Sequence, residues 1–295
     1  MEKKLLLIIN PVAGKGRIKM KLFNIIELFE QYEYEVTVYI TKCKADGEVI
    51  AAERGSDFDR IVCSGGDGTL NEVVNGIMSL EGKHPPLGYI PAGTTNDFSV
   101  TLKLPMRTMD AAKRAVTGTE FTCDLGIFNK RHFVYTAAFG AFSDLSYITP
   151  TASKNLLGRT AYVLQGIERL SAIKPSRLSV DINGSIIEGD FIFGMVTNTE
   201  SVGGFKGVTG KNVSLNDGLL EVVLISMPKK AADLQNIAKA FLTKNLNEPG
   251  IYTFKSDSLT IKCNDEVAWT LDGEFGGSPT EVRIKTLHNA ITYIV

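Results

Sequence analysis

A glycine-rich turn constrains the fold of this chain more than any other feature. It follows the apolar residues 60–63, leads into a helical pattern and reads Ser64-Gly65-Gly66-Asp67-Gly68-Thr69-Leu70-Asn71-Glu72. Glycine permits positive φ angles and lets a ligand approach the backbone closely. The helix would point its N-terminal N–H groups at that ligand, which suits a phosphate. Because Asp67 would repel a bare phosphate, the turn predicts a magnesium-bridged nucleotide; the alternative is a plain turn in which Asp67 caps the helix.

Two other apolar runs, residues 5–9 and 87–90, also end in turns rich in small and polar residues. The first continues as Asn10-Pro11-Val12-Ala13-Gly14-Lys15-Gly16-Arg17, and the second as Pro91-Ala92-Gly93-Thr94-Thr95-Asn96-Asp97-Phe98. The carboxyl ends of parallel strands meet at one edge of a sheet, where open α/β folds bind ligands. We therefore expect the three turns to form one site.

Common nucleotide-binding motifs do not account for these turns. No segment matches the GxxxxGK[ST] pattern of a Walker A loop. Gly14-Lys15-Gly16 imitates the start of a GxGxxG dinucleotide fingerprint, but the third glycine position is Lys19. The second predicted strand ends at Thr41 rather than at an acid that would bind a ribose. A dehydrogenase is therefore disfavoured.

Together the turns carry a family resemblance. Gly-Gly-Asp-Gly-Thr at 65–69, Asn-Pro-x-x-Gly at 10–14 and Pro-x-Gly-Thr-x-Asn-Asp-Phe at 91–98 resemble the diacylglycerol kinase catalytic family. Two later segments fit in order, so the resemblance covers nearly the whole chain: Asn216-Asp217-Gly218-Leu219 and Leu271-Asp272-Gly273-Glu274. The chain is most similar to the soluble bacterial lipid kinases of this family, whose nucleotide fold is akin to that of NAD kinases and phosphofructokinases.

Composition and charge narrow the class of protein. The 295 residues are 44% hydrophobic and 22% charged, with a formal net charge of −1, which is typical of a globular protein. A nucleic-acid-binding protein would usually carry a basic excess, so the near-neutral net charge disfavours that class. There is no apolar run long enough to span a membrane, and the first apolar run is too short for a signal peptide, so we expect a cytoplasmic protein. The cysteines are scattered without a CxxC pair and are expected to be mostly buried free thiols.

The sequence periodicity changes near residue 120, which predicts two domains. Before that point, strands at 5–9, 34–41, 60–64 and 87–90 alternate with helices at 19–31, 46–54, 70–79 and 109–117, which indicates an α/β domain with a parallel sheet. After it, predicted strands dominate, at 121–128, 131–138, 177–182, 186–198, 218–226, 258–263, 267–271, 280–286 and 290–295. Helices are predicted at 155–171 and 229–242, and Asn183-Gly184 predicts a hairpin. The series indicates a mainly antiparallel β-sandwich. We predict an ATP-binding domain at 1–127, to which 289–295 return as in the resembled family, and a substrate domain at 128–288.

The resemblance implies that the first domain binds ATP along these turns. Thr41 and Thr94 would contribute hydroxyl groups, and Lys15 and Arg17 either add positive charge near the phosphates or are plain loop cations. The implied nucleotide-binding residues are Asn10, Pro11, Val12, Ala13, Gly14, Thr41, Gly65, Gly66, Asp67, Gly68, Thr69, Leu70, Asn71 and Thr94.

Three acids are candidates for a catalytic magnesium network. Asp67 and Asp97 lie in the turns, and Asp124 lies in a predicted strand, where a buried acid is costly without a partner. Magnesium prefers oxygen ligands and keeps several waters, and in the resembled family the matching aspartates hold it largely through water. The alternatives are a helix cap for Asp97 and a hydrogen-bonded turn for Asp124.

The resemblance assigns two further sites to the second domain. Glu274 in Leu-Asp-Gly-Glu matches the family's proton acceptor, which would take the proton from the lipid hydroxyl; the alternative is a surface acid beside a plain turn. In the resembled family an aspartate and nearby backbone carbonyls bind a structural magnesium, which matches Ser214, Asp217 and Leu219; the alternative is a plain turn, because Asp217-Gly218 is also a common turn dipeptide.

These features predict an ATP-dependent, magnesium-using lipid kinase, and the resemblance alone implies diacylglycerol as substrate and phosphatidic acid as product. The helix at 155–171 either contacts a membrane surface or packs in the core, and 201–205 form a loop that could border an acyl-chain cleft. We expect transient contact with a membrane surface, no nucleic acid and, by resemblance, a homodimer. The alternatives are an NAD-kinase-like enzyme acting on a soluble dinucleotide and a nucleotide sensor without catalysis.

Overall fold

The structure is a computed structural model that describes residues 3–82, 84–140, 174–202, 205–206, 213–243 and 245–295. The chain folds into two compact units, Met1–Leu125 with His288–Val295 and Gly126–Leu287. The predicted helix at 155–171 lies outside the described residues, as do residues 203–204 of the predicted loop at 201–205 and the side chains of Lys15 and Arg17.

The sheet of the first unit is built from parallel strands. Strand β1 (Lys3–Ile9) lies between β2 (Tyr34–Ile40) and β3 (Arg60–Gly65), and β3 pairs in turn with β4 (Leu87–Pro91). The last strand of the chain adds its final residues beside β4, where Tyr293 pairs in parallel with Leu87. The apolar runs predicted as strands therefore form the centre of this unit.

Helices connect these strands. A 3-10 helix at Ala13–Met20 precedes the α-helices, which are α1 (Leu22–Gln31), α2 (Asp46–Arg54), α3 (Asp67–Met78), α4 (Asp97–Thr101) and α5 (Thr108–Thr117). Helix α1 packs beside α5, and α2 packs beside α3. Leu5 and Leu7 share a core cluster with α1 and α5, and the alternate residues Leu6 and Ile8 are also fully buried. Because successive strand residues point to opposite faces, both faces of the sheet are covered.

The second unit is mainly antiparallel. Its strands are the end of β5 (Glu120–Phe128), β6 (Arg131–Phe133), β7 (Thr136–Gly140), β8 (Ser176–Ile182), β9 (Ser185–Thr197), β10 (Ser201–Val202), β11 (Phe205–Lys206), β12 (Leu220–Ser226), β13 (Ile251–Ser256), β14 (Ser258–Cys263), β15 (Trp269–Leu271), β16 (Glu274–Gly277) and most of β17 (Glu281–Ile294). One path of paired strands runs β16-β15-β7-β9-β8-β14-β17, while β12 pairs with β9 and β13. Helix α6 spans Ala231–Thr243.

Trp269 lies at the centre of the second unit's core. It is fully buried, and its ring lies 5.1 Å from that of Phe128 and 4.8 Å from that of Phe139. A second cluster packs α6 against the sheet through Ile237 and Ala240. Asn183 and Gly184 have φ angles of +50° and +90°, so the predicted hairpin between β8 and β9 is confirmed.

The predicted combination of a parallel α/β domain and a mainly antiparallel β domain is confirmed, with local corrections. The helix predicted at 19–31 begins as an α-helix only at Leu22, after a 3-10 helix whose Gly14 and Gly16 have positive φ. The strand predicted at 131–138 is interrupted because the N–H groups of Val134 and Tyr135 donate to a carboxylate instead of a neighbouring strand. The strands predicted at 280–286 and 290–295 are one strand, and β13 was not predicted.

Two sequence-level expectations concern thiols and membrane helices. Cys63 and Cys123 are buried free thiols as expected, whereas Cys263 is half-buried and Cys43 is exposed. Burial raises the pKa of the Cys263 thiol to about 11. Within the described ranges, none of the helices has the length and hydropathy needed to cross a bilayer.

Candidate functional site

The register of the parallel sheet aligns the strand ends from which the predicted site begins. Ile9 at the end of β1 pairs with Ile40 of β2 and with Ser64 of β3, and Gly65 pairs with Pro91 of β4. The turns after β1, β3 and β4 therefore start at the same edge of the sheet, as the sequence predicts.

Asn10 connects the first turn to the second. Its backbone N–H donates to the Ser64 carbonyl at 2.9 Å, and its Nδ2 donates to Thr69 Oγ1 at 3.0 Å. Its Oδ1 accepts a hydrogen bond from the Val12 N–H at 3.1 Å, which folds the turn back on itself. Thr41 lies beside this turn, with its N–H donating to the Ile9 carbonyl at 2.9 Å. Asn10 therefore holds the predicted nucleotide turn against the start of α3.

The glycines of the turns are required by turn-to-turn packing. A Cβ atom on Gly14, whose φ is +56°, would lie 2.3 Å from the Ala92 carbonyl oxygen. A Cβ on Gly93 would lie 2.6 Å from Gly66 Cα, and one on Gly65 would lie 2.4 Å from Thr69 Cβ. Close packing of backbone on backbone thus explains Gly14 and Gly93, and the Thr69 side chain explains Gly65, even before a ligand is considered.

Tyr89 and Asn96 brace the turn after β4, a role that the sequence did not reveal. Asn96 has φ +50°; its Oδ1 accepts from the Gly93 N–H at 2.8 Å and its Nδ2 donates to the Gly93 carbonyl at 2.9 Å. The Tyr89 hydroxyl donates to the Gly65 carbonyl at 3.2 Å. Burial, with the negative charge of Asp67, raises the pKa of Tyr89 well above its usual range, so this hydroxyl stays a donor. Thr94, in the same turn, is exposed.

Helix α3 starts earlier than predicted, at Asp67 rather than Leu70. Gly66 is the N-cap residue, and no side chain caps the helix, so Asp67 is not the cap that the alternative interpretation required. The first N–H groups of a helix have no intrahelical acceptor and remain available to an anion. Leu70 is fully buried and its N–H donates to the Gly66 carbonyl, while Asn71 accepts hydrogen bonds from Asn75.

Asp67 and Asp97 are brought together by a contact between a backbone N–H group and a carboxylate. The Asp97 N–H donates to Asp67 Oδ2 at 3.3 Å, and Asp97, the first residue of α4, is only 3% exposed. Asn96, not Asp97, is the N-cap of that short helix. Carboxylate oxygens such as those of Asp67 and Asp97 are the donors that a hydrated magnesium ion prefers. Their role in holding that ion stays a prediction.

Asp124 is hydrogen-bonded by residues near the carboxyl terminus. Its side chain is fully buried, and its Oδ1 accepts hydrogen bonds from the Asn289 N–H at 2.7 Å and from His288 Nδ1 at 2.9 Å. Asn289 has φ +51°, so the carboxylate stabilises a bend within β17. The alternative to a magnesium role for Asp124 was a hydrogen-bonded turn, and the observed hydrogen bonds are of that kind but join residues that are distant along the chain. No role was predicted for His288. Participation of Asp124 in a magnesium network stays a prediction.

Glu274 is the exposed first residue of β16 in the second unit. The preceding residues, Asp272 and Gly273, form a tight hairpin with φ angles of +50° and +84°. The Asp272 carboxylate accepts hydrogen bonds from the N–H groups of Val134, Tyr135 and Thr136 at 2.7–2.9 Å. Asp272 is therefore an anchor that fixes the strand carrying Glu274, rather than part of a plain surface turn.

The predicted structural magnesium site contains a lysine. Asp217 Oδ1 accepts from the Leu219 N–H at 3.1 Å, and its Oδ2 lies 2.9 Å from Lys255 Nζ. Ser214 Oγ donates to Asn216 Oδ1 at 3.4 Å. In the described part of the chain, no group of three or more His, Cys, Asp or Glu residues is arranged to hold a metal ion. The structural magnesium site at Ser214, Asp217 and Leu219 therefore stays a prediction.

Comparison with known proteins identifies the family. Residues 4–127 match the family model of the diacylglycerol kinase catalytic domain, and residues 147–294 match that of the YegS C-terminal NAD kinase beta sandwich-like domain. The chain belongs to the diacylglycerol kinase family. The family and fold predicted from the motifs are thereby confirmed, and the protein is a kinase.

Full-length relatives support this assignment. The chain is 34% identical to the diacylglycerol kinase of Bacillus subtilis (strain 168), covering 93% of this chain and 91% of that protein. It is 31% identical to the diacylglycerol kinase of Staphylococcus aureus (strain bovine RF122 / ET3-1), with coverage of 94% and 88%. A crystal structure of a diacylglycerol kinase from Bacillus anthracis str. Sterne is similar with a TM-score of 0.79 and 28% identity, covering 99% of this chain and 96% of that one.

Proposed function

We propose that this kinase transfers the γ-phosphoryl group of ATP to a lipid hydroxyl, with diacylglycerol as the acceptor and phosphatidic acid as the product. The observation that carries the proposal is the contact of the Asp67 carboxylate with the Asp97 backbone at the edge where the turns meet. The names of the curated relatives support the choice of diacylglycerol. Since that acceptor resides in a bilayer, the protein would work from the cytoplasm and contact a membrane surface transiently.

The turns of the first unit would bind the triphosphate. Phosphoryl transfer depends mainly on positioning and on neutralising charge. The N–H groups at the start of α3 would donate to phosphate oxygens, and Asn10 and Asn96 would keep the turns in place. Asp67 and Asp97 would hold a hydrated magnesium ion, which supplies positive charge to the phosphates when bound.

Glu274 would act as the general base. Its carboxylate would accept the proton of the lipid hydroxyl while the hydroxyl oxygen bonds to the γ-phosphorus and the bond to the β-phosphate oxygen breaks. The anchored Asp272 would orient this carboxylate by fixing the first residue of β16. A positioned general base accelerates a reaction by roughly 10²–10⁴-fold.

The decisive experiment offers labelled ATP with dispersed diacylglycerol, other lipids carrying hydroxyl groups, and NAD. Label in the organic phase with diacylglycerol supports the proposal. Label in NADP would instead indicate an NAD-kinase-like enzyme, and ATP binding without any transfer would indicate a nucleotide sensor.

Substitution of the proposed base tests the mechanism. We expect Glu274→Gln to lower kcat by about 10²–10⁴-fold, because the amide cannot accept the proton, while ATP binding stays unchanged. Glu266→Gln is the matched control, since Glu266 is also exposed in the second unit. A Glu274→Gln enzyme with the parent turnover number would show that another group takes the proton.

A further inference from the structure

A cavity in the second unit lies beside β16, the strand that begins with Glu274. Its volume is about 710 Å³, and it is bordered by the turn between β5 and β6 and by the connection from β16 to β17. Small-molecule sites usually have volumes of about 300–1,000 Å³ and mainly apolar walls. Much of the wall of this cavity, which we call the β16 cavity, is apolar and is formed by Phe128, Gly276, Gly277 and Pro279.

The charged side chains of the β16 cavity have one sign. The described residues that line it include three cations and no acid; the cations are Lys130, Arg131 and Arg283. Lys130 is exposed, and within the described ranges its ammonium group has neither an ion pair nor a side-chain hydrogen bond. Arg283 contacts Glu281 Oε1 through Nε at 2.9 Å and through Nη2 at 2.8 Å, which leaves Nη1 without a partner among the described residues. The cavity therefore favours an anion.

Hydrogen bonds fix the two sides of the cavity to each other. Asn129 has φ +55°; its N–H donates to the Arg283 carbonyl at 2.9 Å, and its Oδ1 accepts from the Arg283 N–H at 2.8 Å. Its Nδ2 donates to the Glu281 carbonyl at 3.3 Å. The turn that carries Lys130 is thus held beside Arg283 before any ligand binds, and such preorganisation lowers the entropic cost of binding.

We propose that the β16 cavity binds a small phosphate monoester and that the bound ligand raises the turnover of the kinase. A phosphate monoester carries a charge of about −1.5 to −2 near neutral pH and three acceptor oxygens, which suit a guanidinium and an ammonium group better than a singly charged carboxylate does. The organic part of the ligand would contact the apolar wall.

The effect on turnover follows from the position of β16. Gly276 and Gly277 line the cavity and end the strand that Glu274 begins. A ligand that contacts these glycines would restrain the strand and hold the proposed base in place, and precise positioning of a catalytic group favours the reaction. This second part of the inference rests on the proposed function, whereas the binding of the ligand does not.

The fluorescence of Trp269 measures binding without catalysis. Trp269 is the only tryptophan in the sequence, it pairs with Gly277, and its ring lies 5.1 Å from that of Phe128. The probes, added without ATP, are sn-glycerol 3-phosphate for a free phosphate ester and dihexanoyl phosphatidate for a lipid headgroup. We expect a saturable change in fluorescence, with the tighter-binding probe identifying the source of the ligand, and no change with sulfate at equal ionic strength.

Variants of the cavity test where the probe binds. Lys130→Gln with Arg283→Gln should weaken binding by about tenfold or more, because charge-assisted hydrogen bonds to the phosphate are lost. Ser278→Leu keeps both charges but adds bulk to the cavity wall, so it should also weaken binding. The matched control, Lys229→Gln with Arg177→Gln, removes an exposed lysine and an exposed arginine that is likewise paired with one acid. Thermal unfolding establishes that each variant is folded.

The outcomes separate the site from its effect and from the proposed function. No saturable response, an equal response to sulfate, or equal affinity in the parent and in the cavity variants would overturn the site. In a kinase assay with diacylglycerol, the bound probe should raise kcat in the parent but not in the Lys130→Gln with Arg283→Gln variant. Binding with an unchanged or lower kcat would reject the effect on turnover. Cavity-dependent binding without phosphorylation of any lipid would reject the proposed function alone.

Discussion

Asp272 is a buried acid whose surroundings explain its place beside Glu274. It is 3% exposed, and its carboxylate accepts hydrogen bonds from three backbone N–H groups, those of Val134, Tyr135 and Thr136. A buried carboxylate is costly unless donors surround it, and hydrogen bonds to a charged acceptor are stronger than neutral ones. The sequence shows only an Asp-Gly turn at this position.

We expect Asp272→Asn to lower the free energy of unfolding by about 2–4 kcal/mol. Asparagine offers one acceptor oxygen and turns an NH₂ group toward backbone donors, so at least one N–H loses its partner. Urea denaturation measures the change, with Asp265→Asn as the control because Asp265 is exposed. Equal stability of the two variants would contradict the anchoring role.

The pairing of β12 with β13 is the element-scale feature with the clearest electrostatic consequence. Glu221 lies opposite Lys255 across these strands, and the two side chains approach to 3.1 Å. The Glu221 side chain is 4% exposed, and burial raises its pKa from 4.5 to about 7 despite the neighbouring ammonium. Burial lowers the pKa of Lys255, but hydrogen bonds to Asp217 and Glu221 raise it by more. The pKa of the lysine is therefore raised overall.

This shift predicts that stability falls as the pH rises from about 4.5 to about 7. In that window the folded chain keeps a proton on Glu221 that the unfolded chain has released. The loss amounts to roughly 3 kcal/mol at most, and it is complete above the pKa in the folded state. Other acids also change the stability at lower pH. The quantity to measure is therefore the difference in free energy of unfolding between the parent and a variant that lacks the Glu221 carboxyl group.

Glu221→Gln isolates the effect. We expect its free energy of unfolding to increase relative to that of the parent between about pH 5 and about pH 8, because the parent loses stability there and the variant does not. Glu248→Gln serves as a control because Glu248 pairs with an exposed lysine, Lys239. A difference between Glu221→Gln and the parent that does not change with pH would refute the assigned cause.

At the scale of the whole molecule, binding of ATP with magnesium should stabilise the protein. A ligand that binds only the folded state adds about 2.7 kcal/mol at a hundredfold excess over its Kd. We expect this stabilisation to require magnesium and to be largely lost in Asp67→Asn, whose side-chain oxygen can still accept from the Asp97 N–H. Thermal unfolding with and without the nucleotide measures it, and Asp265→Asn is the control. A full thermal shift in Asp67→Asn, or one independent of magnesium, would exclude the proposed metal site.

Local patterns in the chain are sufficient to predict the strands β1 to β4 with the helices α1, α2, α3 and α5, and the meeting of the turns at one sheet edge, while the motifs of those turns carry the resemblance that predicts the family. These predictions succeed because apolar periodicity and glycine-rich turns depend on neighbouring residues, and because the ends of parallel strands must share an edge. The same local basis explains why β13, with a mixed polar sequence, was not predicted.

Folding in three dimensions adds the contacts between residues that are distant along the chain. Asp272 meets Val134 across 138 positions, Asp124 meets Asn289 across 165, and Lys255 lies 38 positions from Asp217. No local pattern records such pairs, since each depends on the register between strands and on where the chain returns. These contacts show that Asp272 is a buried anchor rather than a surface acid. They also identify the partners of Asp124 and Asp217, which the sequence could only name as candidate site residues.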